Sequence, residues 1–400
     1  MRTSYDAIVI GAGIHGCSVA MQLSMRKLRV LVIEKTYPGR HASGVNAGSV
    51  HHIPRLTPEL PLAELTLRMW HDIGELVDGE DCGYRQVGHL RIAETEDDVA
   101  PMNGTAEGVA RHCNIEEIHL DREALFDREP GLSRNVAAGI FSPECGYAQP
   151  ARAVHAFRAK AERLGAVFLN ETCVVGLRRS GPDWLVDTSA GPFDAPMVVN
   201  CAGAWGSEVA SWVGDHVTLR TVALMMSVLA PMKPVMETVI GLTRRLLSIK
   251  QFENGTVVIG GGYRGTPDLV TGRTMLDYTR LGYNLRAATE VFPALAHGRV
   301  VRCWSGIEGI SPDALPIIGP SASEDGIWHS FAYSTHGFYL GPAAGRVLAE
   351  AMTGERPAVS LEPFHIGRFN GCVANLERRR ERASRSVGRS GGEQLKLLGQ

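Results

Sequence analysis

Three glycines, Gly11, Gly13 and Gly16, follow the apolar run Ala7-Ile8-Val9-Ile10 and open a stretch patterned as a helix from about Cys17 to Arg26. A second apolar run, Arg29 to Ile33, ends on Glu34 and Lys35, with the carboxylate 23 residues past Gly11. In a strand, turn, helix, strand unit the first glycine permits the tight turn. The second lets a pyrophosphate approach the backbone at the positive end of the helix, and the third lets helix and strand pack closely. Glu34 is then placed to accept hydrogen bonds from ribose hydroxyls. The glycines alone would be weak evidence, but their flanking strands and the terminal acid predict a dinucleotide site.

The other reactive side chains are dispersed. Eight cysteines occur singly, without the paired spacing of a zinc or iron–sulfur site, so no metal centre is expected from this chain alone. Cys173 and Cys201 lie in apolar strand contexts that suit a buried thiol. A chain of 400 residues, 44% hydrophobic and 21% charged, buries a large core and is long enough for two or three domains. A formal net charge of −2 gives no electrostatic reason to expect nucleic acid. The first hydrophobic stretch is itself the nucleotide-site strand, and no apolar run is long enough to span a bilayer. A cytoplasmic protein without a membrane span is the expectation.

The elements that must position these groups alternate along the chain. A small-residue loop, His41 to His52, follows Glu34 and is too glycine-rich to read as helix. Residues 58 to 78 carry apolar positions near a 3.6 period and predict a helix. Gly88 to Ile92 and Gly139 to Phe141 read as strands of a second layer, with a polar segment between them. Pro150 to Leu164 reads as a helix, Ala166 to Leu169 and Thr172 to Leu177 as strands, and Met197 to Trp205 as a buried strand ending in a glycine turn. From 217 to 300 alternating patterns predict an antiparallel sheet, with a helix near 275 to 291. A loop from Arg302, a strand, and a helix after His336-Gly337-Phe338 complete the chain's folded part. The fold class is therefore α/β with an α+β second domain: a Rossmann-like nucleotide domain interleaved with an antiparallel substrate domain. The expected division is 1–85, 146–215 and 301–370 for the first, 86–145 and 216–300 for the second, and a basic tail over 371–400.

Four motifs in order resemble the FAD-dependent D-amino-acid oxidase superfamily over roughly residues 5 to 365. They are the glycine triplet, Ala42-Ser43-Gly44-Val45-Asn46-Ala47-Gly48, Asn200-Cys201-Ala202-Gly203-Ala204-Trp205, and Trp304-Ser305-Gly306 with Pro312-Asp313-Ala314-Leu315-Pro316 and His336-Gly337-Phe338. By motif the chain is most similar to glycine and sarcosine oxidases and to flavin subunits of heteromeric sarcosine, proline and opine dehydrogenases. The resemblance implies FAD between the two domains and oxidation of a C–N bond by hydride transfer to flavin N5. It implies that Gly11, Ala12, Gly13, Ile14, His15 and Gly16 cradle the pyrophosphate and that Glu34 and Lys35 lie at the adenosine end. Ser43, Gly44, Asn46, Ala47, Gly48 and Ser49 would follow the cofactor towards its flavin. Val174, Ala202, Gly203 and Trp205 would line its length. Gly306 and the helix start His336, Gly337, Phe338, Tyr339 and Leu340 would face the ribityl chain or ring, where amide dipoles stabilise negative charge. Such chemistry needs no strong general base. His51, His52, Tyr263, Arg264, Glu308, His336 and Tyr339 are the candidate catalytic or substrate-contacting side chains.

Departures from the family pattern narrow the substrate. Glycine-oxidase-like sequences place an arginine for the substrate carboxylate where this chain has Glu308, and monomeric sarcosine oxidases place a lysine where it has Tyr339. A carboxylate at 308 suits a cationic group such as the guanidinium of an arginine-derived opine (octopine, nopaline), unless it simply pairs with Arg302. No counterpart of the oxygen-promoting lysine is evident over Val257 to Arg264, which favours a dehydrogenase subunit in a hetero-oligomer with a larger redox subunit. That partner would share or carry an FMN or iron–sulfur centre. Cys303 lies near a position of covalent flavin attachment in some sarcosine oxidases, although a buried strand thiol is the simpler reading. The self-contained amino acid oxidase making hydrogen peroxide, and a non-catalytic flavin-bearing assembly subunit, stand as alternatives.

Overall fold

The computed structural model describes residues 5–52 and 56–370; the basic tail lies outside them. A six-stranded sheet is ordered 317–320, 327–331, 197–200, 7–10, 30–33 and 167–169. All neighbours are parallel except Ile317–Pro320, which runs antiparallel to Ile327–Phe331 at the edge. The central strands Ala7–Ile10 and Val30–Ile33 are buried at every residue, as continuous apolar runs covered on both faces must be. Ala7, Val9, Val30 and Val32 pack towards the helices Ile14–Met25, Pro150–Arg163 and Gly337–Met352. Ile8, Ile10, Leu31 and Ile33 pack instead on Trp184 and Val186 of a small antiparallel sheet, Val174–Ser180, Asp183–Thr188 and Phe193–Ala195. Glycines set the spacing of the central helix pair. A Cβ on Gly345 would come within 2.2 Å of Ser18 Oγ, and one on Gly341 within 2.6 Å of Ile14 Cγ1.

The second sheet has ten strands. Arg220–Leu229 is its spine, flanked on one edge by Val300–Ile310 and on the other by Val257–Gly260 and Arg264–Asp268, all antiparallel. Ser248–Gln251, Val239–Leu242, His89–Ala93 and Ala138–Ser142 extend it. Directly opposed residues share a face, and faces alternate along each strand. Leu90, Ile92, Ile240, Ile249, Val257 and Ile259 thus form one apolar face, which packs against the helix Tyr278–Val291. The other face holds the site described below.

Two local expectations are corrected, and one segment left without an assignment proves to be helical. Residues 300–310 form a strand, not a loop, and pair with the spine of the ten-stranded sheet, whereas the sequence grouped 301 onwards with the nucleotide-binding segments. Gly306 and Gly309 interrupt the apolar pattern because neighbours approach there: a Cβ on Gly306 would lie 2.3 Å from Val45 Cγ2. The polar segment between the second-layer strands contains the helix Glu96–Ala110, started by a Thr95 and Asp98 capping box. The loop at 41–52 includes one helical turn, Ala42–Val45, admitted because Gly44 has no side chain to strike the Gly39 carbonyl.

Candidate active site

The glycine turn is built as its spacing predicts. Gly11 has φ of +99°, and a Cβ there would lie 2.6 Å from the Cys201 carbonyl, so turn and neighbouring strand both require glycine. A Cβ on Gly16 would lie 1.9 Å from the Gly11 carbonyl, which is the close packing the third glycine serves. Gly13 caps the Ile14–Met25 helix with no side-chain hydrogen bond, leaving the helix's first amides directed outward without a capping group. Glu34 closes the turn. Its Oε2 accepts from the Ala12 amide at 2.8 Å, and Oε1 accepts from the Thr36 amide at 2.9 Å. Lys35 lays its Nζ 2.9 Å from the Trp205 ring centroid, and burial holds the amine down at about 8. The Glu171 and Thr172 amides bond the Thr36 and Glu34 carbonyls and so tie the approach to Val174 to this end. Ala202, Gly203 and Trp205 follow the Met197–Asn200 strand as a 3-10 turn.

The small-residue loop lies between this turn and the second sheet. On one side, a Cβ on Gly13 would meet Ser43 Oγ at 2.8 Å. On the other, Gly306 abuts Val45, Trp304 Nε1 donates to the Val45 carbonyl at 2.7 Å, and Gly260 abuts Ala47. Asn46 spends its side chain on the loop itself: Nδ2 donates to the Ala42 and Ser43 carbonyls at 2.9 Å, and Oδ1 accepts from Gly48 N at 2.7 Å. Beyond the loop, the Gly337–Met352 helix begins at His336, again without a side-chain cap. Uncapped amides at two helix starts, a Cβ-free cradle and the Glu34 carboxylate form a donor and acceptor set that fits FAD.

Strand register assembles the facing residues. Leu224 is opposed by both Arg264 and Gly306, Val222 by Glu308, and Gly260 by Ser248, with Lys250 next on that face. Gly241 bridges Ser248 to Arg91, and His89 follows two residues earlier. One sheet face therefore presents His89, Arg91, Ser248, Lys250, Arg264 and Glu308. Glu308 Oε1 accepts from the Thr335 amide at 2.5 Å, and no ion pair with Arg302 occurs among the described residues. Burial, only partly offset by the Thr335 amide and the Arg264 charge, pushes the Glu308 carboxyl up to about 7. Burial lowers Arg264, and the nearby Arg220 adds to this while Glu308 opposes it. Tyr263 precedes Arg264 and accepts the Met225 amide through its carbonyl. Cys303 is offset by an odd number of residues from Glu308 and so takes the opposite face, where its Sγ lies 3.3 Å from Ser227 Oγ.

Other expected side chains are placed differently. His51 reaches the sheet face, stacking on His89 with ring centroids 4.3 Å apart. His52 is wholly buried, with Nδ1 3.3 Å from Cys145 Sγ and Nε2 3.2 Å from Glu117 Oε1. Tyr339 is likewise a core residue: its hydroxyl donates to the Ala63 carbonyl, and its own carbonyl accepts from Trp70 Nε1 at 2.9 Å. It ties the Gly337–Met352 helix to Leu60–His71. Phe338 and Leu340 are buried in the same core. His336 Nδ1 lies 3.0 Å from the buried Glu59 carboxylate. His15 stacks on Tyr333 at 3.5 Å, and burial lowers its imidazole to about 3, keeping it neutral.

Sequence reasoning missed Lys250, whose Nζ donates to the Ala47 carbonyl at 2.7 Å and to Ser49 Oγ at 2.5 Å. Its strand, Ser248–Gln251, is mostly polar and carried no local signal of burial. Among the described residues no cluster of His, Cys, Asp and Glu could hold a metal ion, and no helix is long and apolar enough to cross a membrane.

Comparison with known proteins gives the same picture. The family described as FAD dependent oxidoreductase (DAO) matches residues 6–351. Glycine oxidase of Geobacillus kaustophilus is 25% identical over 388 residues, covering 93% of this chain and 99% of the relative. The sarcosine oxidase subunit beta of an Arthrobacter species is 25% identical, covering 92% of each. The crystal structure of L-proline dehydrogenase from P. horikoshii shares the fold with a TM-score of 0.85 at 23% identity, over 92% of this chain and 99% of that one. With the glycine cradle, the Glu34 contact and the matched span in agreement, the chain belongs to the DAO family of FAD-dependent oxidoreductases.

Proposed function

We propose that this chain oxidises the C–N bond of a secondary amine bearing both a carboxylate and a cationic group, as the catalytic flavin subunit of a heteromeric opine dehydrogenase. The observation that carries this reading is the pairing of Glu308 and Arg264 on one sheet face without an ion pair between them among the described residues. Arg264, with Arg220 and Arg280 near enough to depress its ionisation, suits a carboxylate. Glu308 suits a guanidinium, which a carboxylate can hold through two parallel hydrogen bonds. FAD, when bound, supplies the acceptor for the electron pair and hydrogen leaving the amine carbon. The protein's part is to orient that carbon, to hold the charged ends of the substrate, and to present amides where negative charge develops.

The match to a sarcosine oxidase beta subunit over nearly its whole length supports a place in a hetero-oligomer with a redox partner. A second reading, a self-contained oxidase, is favoured by Lys250, which brings an amine to the loop that residues 257–264 do not supply. Anaerobic addition of octopine, nopaline, sarcosine, proline and glycine, followed by air, tests both. Bleaching of the flavin by a guanidino opine with slow recovery in air is the expected result. Bleaching by sarcosine or glycine with immediate recovery would overturn the opine reading and establish an oxidase. A flavin that no amine bleaches would leave the assembly-subunit reading standing.

A further inference from the structure

Lys250 is the most deeply buried cation on the site face: its residue has no exposed surface. The strand Ser248–Gln251 sets it opposite Val258, and its chain crosses to the loop, ending on the Ala47 carbonyl and Ser49 Oγ. That loop is the layer between the glycine cradle and the sheet, as the contacts of Gly13 with Ser43 and of Gly260 with Ala47 establish. Two acceptors match the two N–H groups of a neutral amine and leave its lone pair as the place for an added proton. Burial alone pushes this amine down to about 7, with no carboxylate contributing. The charged and titratable groups sharing its sheet face are His89, Arg91, Arg264 and Glu308, with His51 stacked on His89 from the loop side. None of them is a cause of the shift.

We propose that Lys250 Nζ takes up one proton from solvent each time the cofactor held by this loop gains an electron pair, and releases it when the pair departs. The inference rests on the flavin reading of the 43–49 loop. In the forward direction a hydride, two electrons with one proton, leaves the amine carbon, which becomes an iminium that water later hydrolyses. Among the described residues Lys250 is the cation that donates to this loop, so the negative charge this leaves beside the loop is met by an N–H bond formed at Nζ with a proton from solvent. When the electron pair passes to the acceptor, that bond breaks and the proton returns to solvent, as does the proton that arrived with the hydride. A buried amine without a counter-charge is thus neutral beside a neutral cofactor and charged beside a negative one.

The test counts protons. Anaerobic photoreduction of the purified holoprotein in weakly buffered solution with an indicator dye, at about pH 8, should consume about two protons per electron pair, one of them at Nζ. Lys250→Met should consume about one and show a lower midpoint potential. Lys250→Arg, charged throughout, should also consume about one while keeping the potential high. Wild-type uptake of a single proton, or an unchanged count in Lys250→Met, would overturn the proposal, and the first of these does not depend on any variant folding. Wild-type protein that purifies without flavin would instead overturn the flavin reading of the loop.

Discussion

Replacing Glu308 by glutamine separates the two demands placed on that carboxyl. In the protein without substrate its pKa rises from 4.5 to about 7, burial being the main cause. At 1.36 kcal/mol per tenfold change this is about 3 kcal/mol of differential stabilisation of the neutral form. Since the folded state holds the proton more tightly, the associated stability is complete below pH 4.5, is lost as pH rises towards 7, and is gone above it. Glutamine removes the penalty and keeps an oxygen for the Thr335 amide. Glu308→Gln should therefore melt at the same temperature as wild type near pH 4.5, increasingly higher as pH rises towards 7, and higher by a constant margin above it. Substrate binding should run the other way. A guanidinium favours the ionised acid, so the wild-type KM for octopine should fall as pH rises through about 7. In Glu308→Gln at about pH 8 it should be raised 10- to 100-fold and lose that pH dependence, the loss of a charge-assisted hydrogen bond of about 1.5–3 kcal/mol. Thermal melts and steady-state kinetics over one pH series check both halves. A variant less stable than wild type at pH 8 would show that Glu308 is held ionised by the protein itself, and the cationic-substrate argument would fail with it.

Gly16→Ala places a methyl group 1.9 Å from the Gly11 carbonyl, and the purified protein should carry little flavin by its visible-to-ultraviolet absorbance ratio; full occupancy would refute the cradle. Tyr339→Phe removes only the hydroxyl bonded to the Ala63 carbonyl, so it should cost about 1 kcal/mol in a denaturant melt and leave kcat unchanged, whereas a large fall in kcat would return Tyr339 to the chemistry. Asp215 is buried, which opposes its ionisation, yet His329, Ser321 and Ser323 hold its carboxyl below the ordinary range. Its contribution is present above pH 3.8 and lost as pH falls through the depressed value. Asp215→Asn should lower stability by about 3 kcal/mol at neutral pH, and a change under 1 kcal/mol would indicate that the buried pair is dispensable.

What could be read from the sequence was whatever local chain geometry decides. The Gly11 turn needs a positive φ and the Gly16 contact lies within the same unit, so three glycines between two apolar runs announce it. Glu34 is equally local, because one helix returns the chain to the turn it left. The substrate side is different in kind. Arg264 and Glu308 share a face only because Leu224 and Val222 of a distant strand set both registers, and neither neighbourhood records that strand. Tyr339 and His52 looked reactive because they follow cofactor motifs, but the Tyr339 hydroxyl is turned onto the Ala63 carbonyl across a helix contact and the His52 ring lies buried beside Cys145; the motif fixes the backbone, not every side chain upon it. The glycines of Val300–Ile310 misled for a related reason. Within the chain Gly306 reads as flexibility, and only the Val45 side chain lying against it reveals a strand that must stay bare on one side. The same logic hid Lys250. A long charged side chain between Ile249 and Gln251 resembles a solvated strand position, and the loop that buries it begins some 200 residues earlier. A lysine that stays buried under such a loop, with no carboxylate to pair it, needs a charge from outside the chain to justify its place. A bound flavin, which gains and loses an electron pair on every turnover, supplies a charge of that kind.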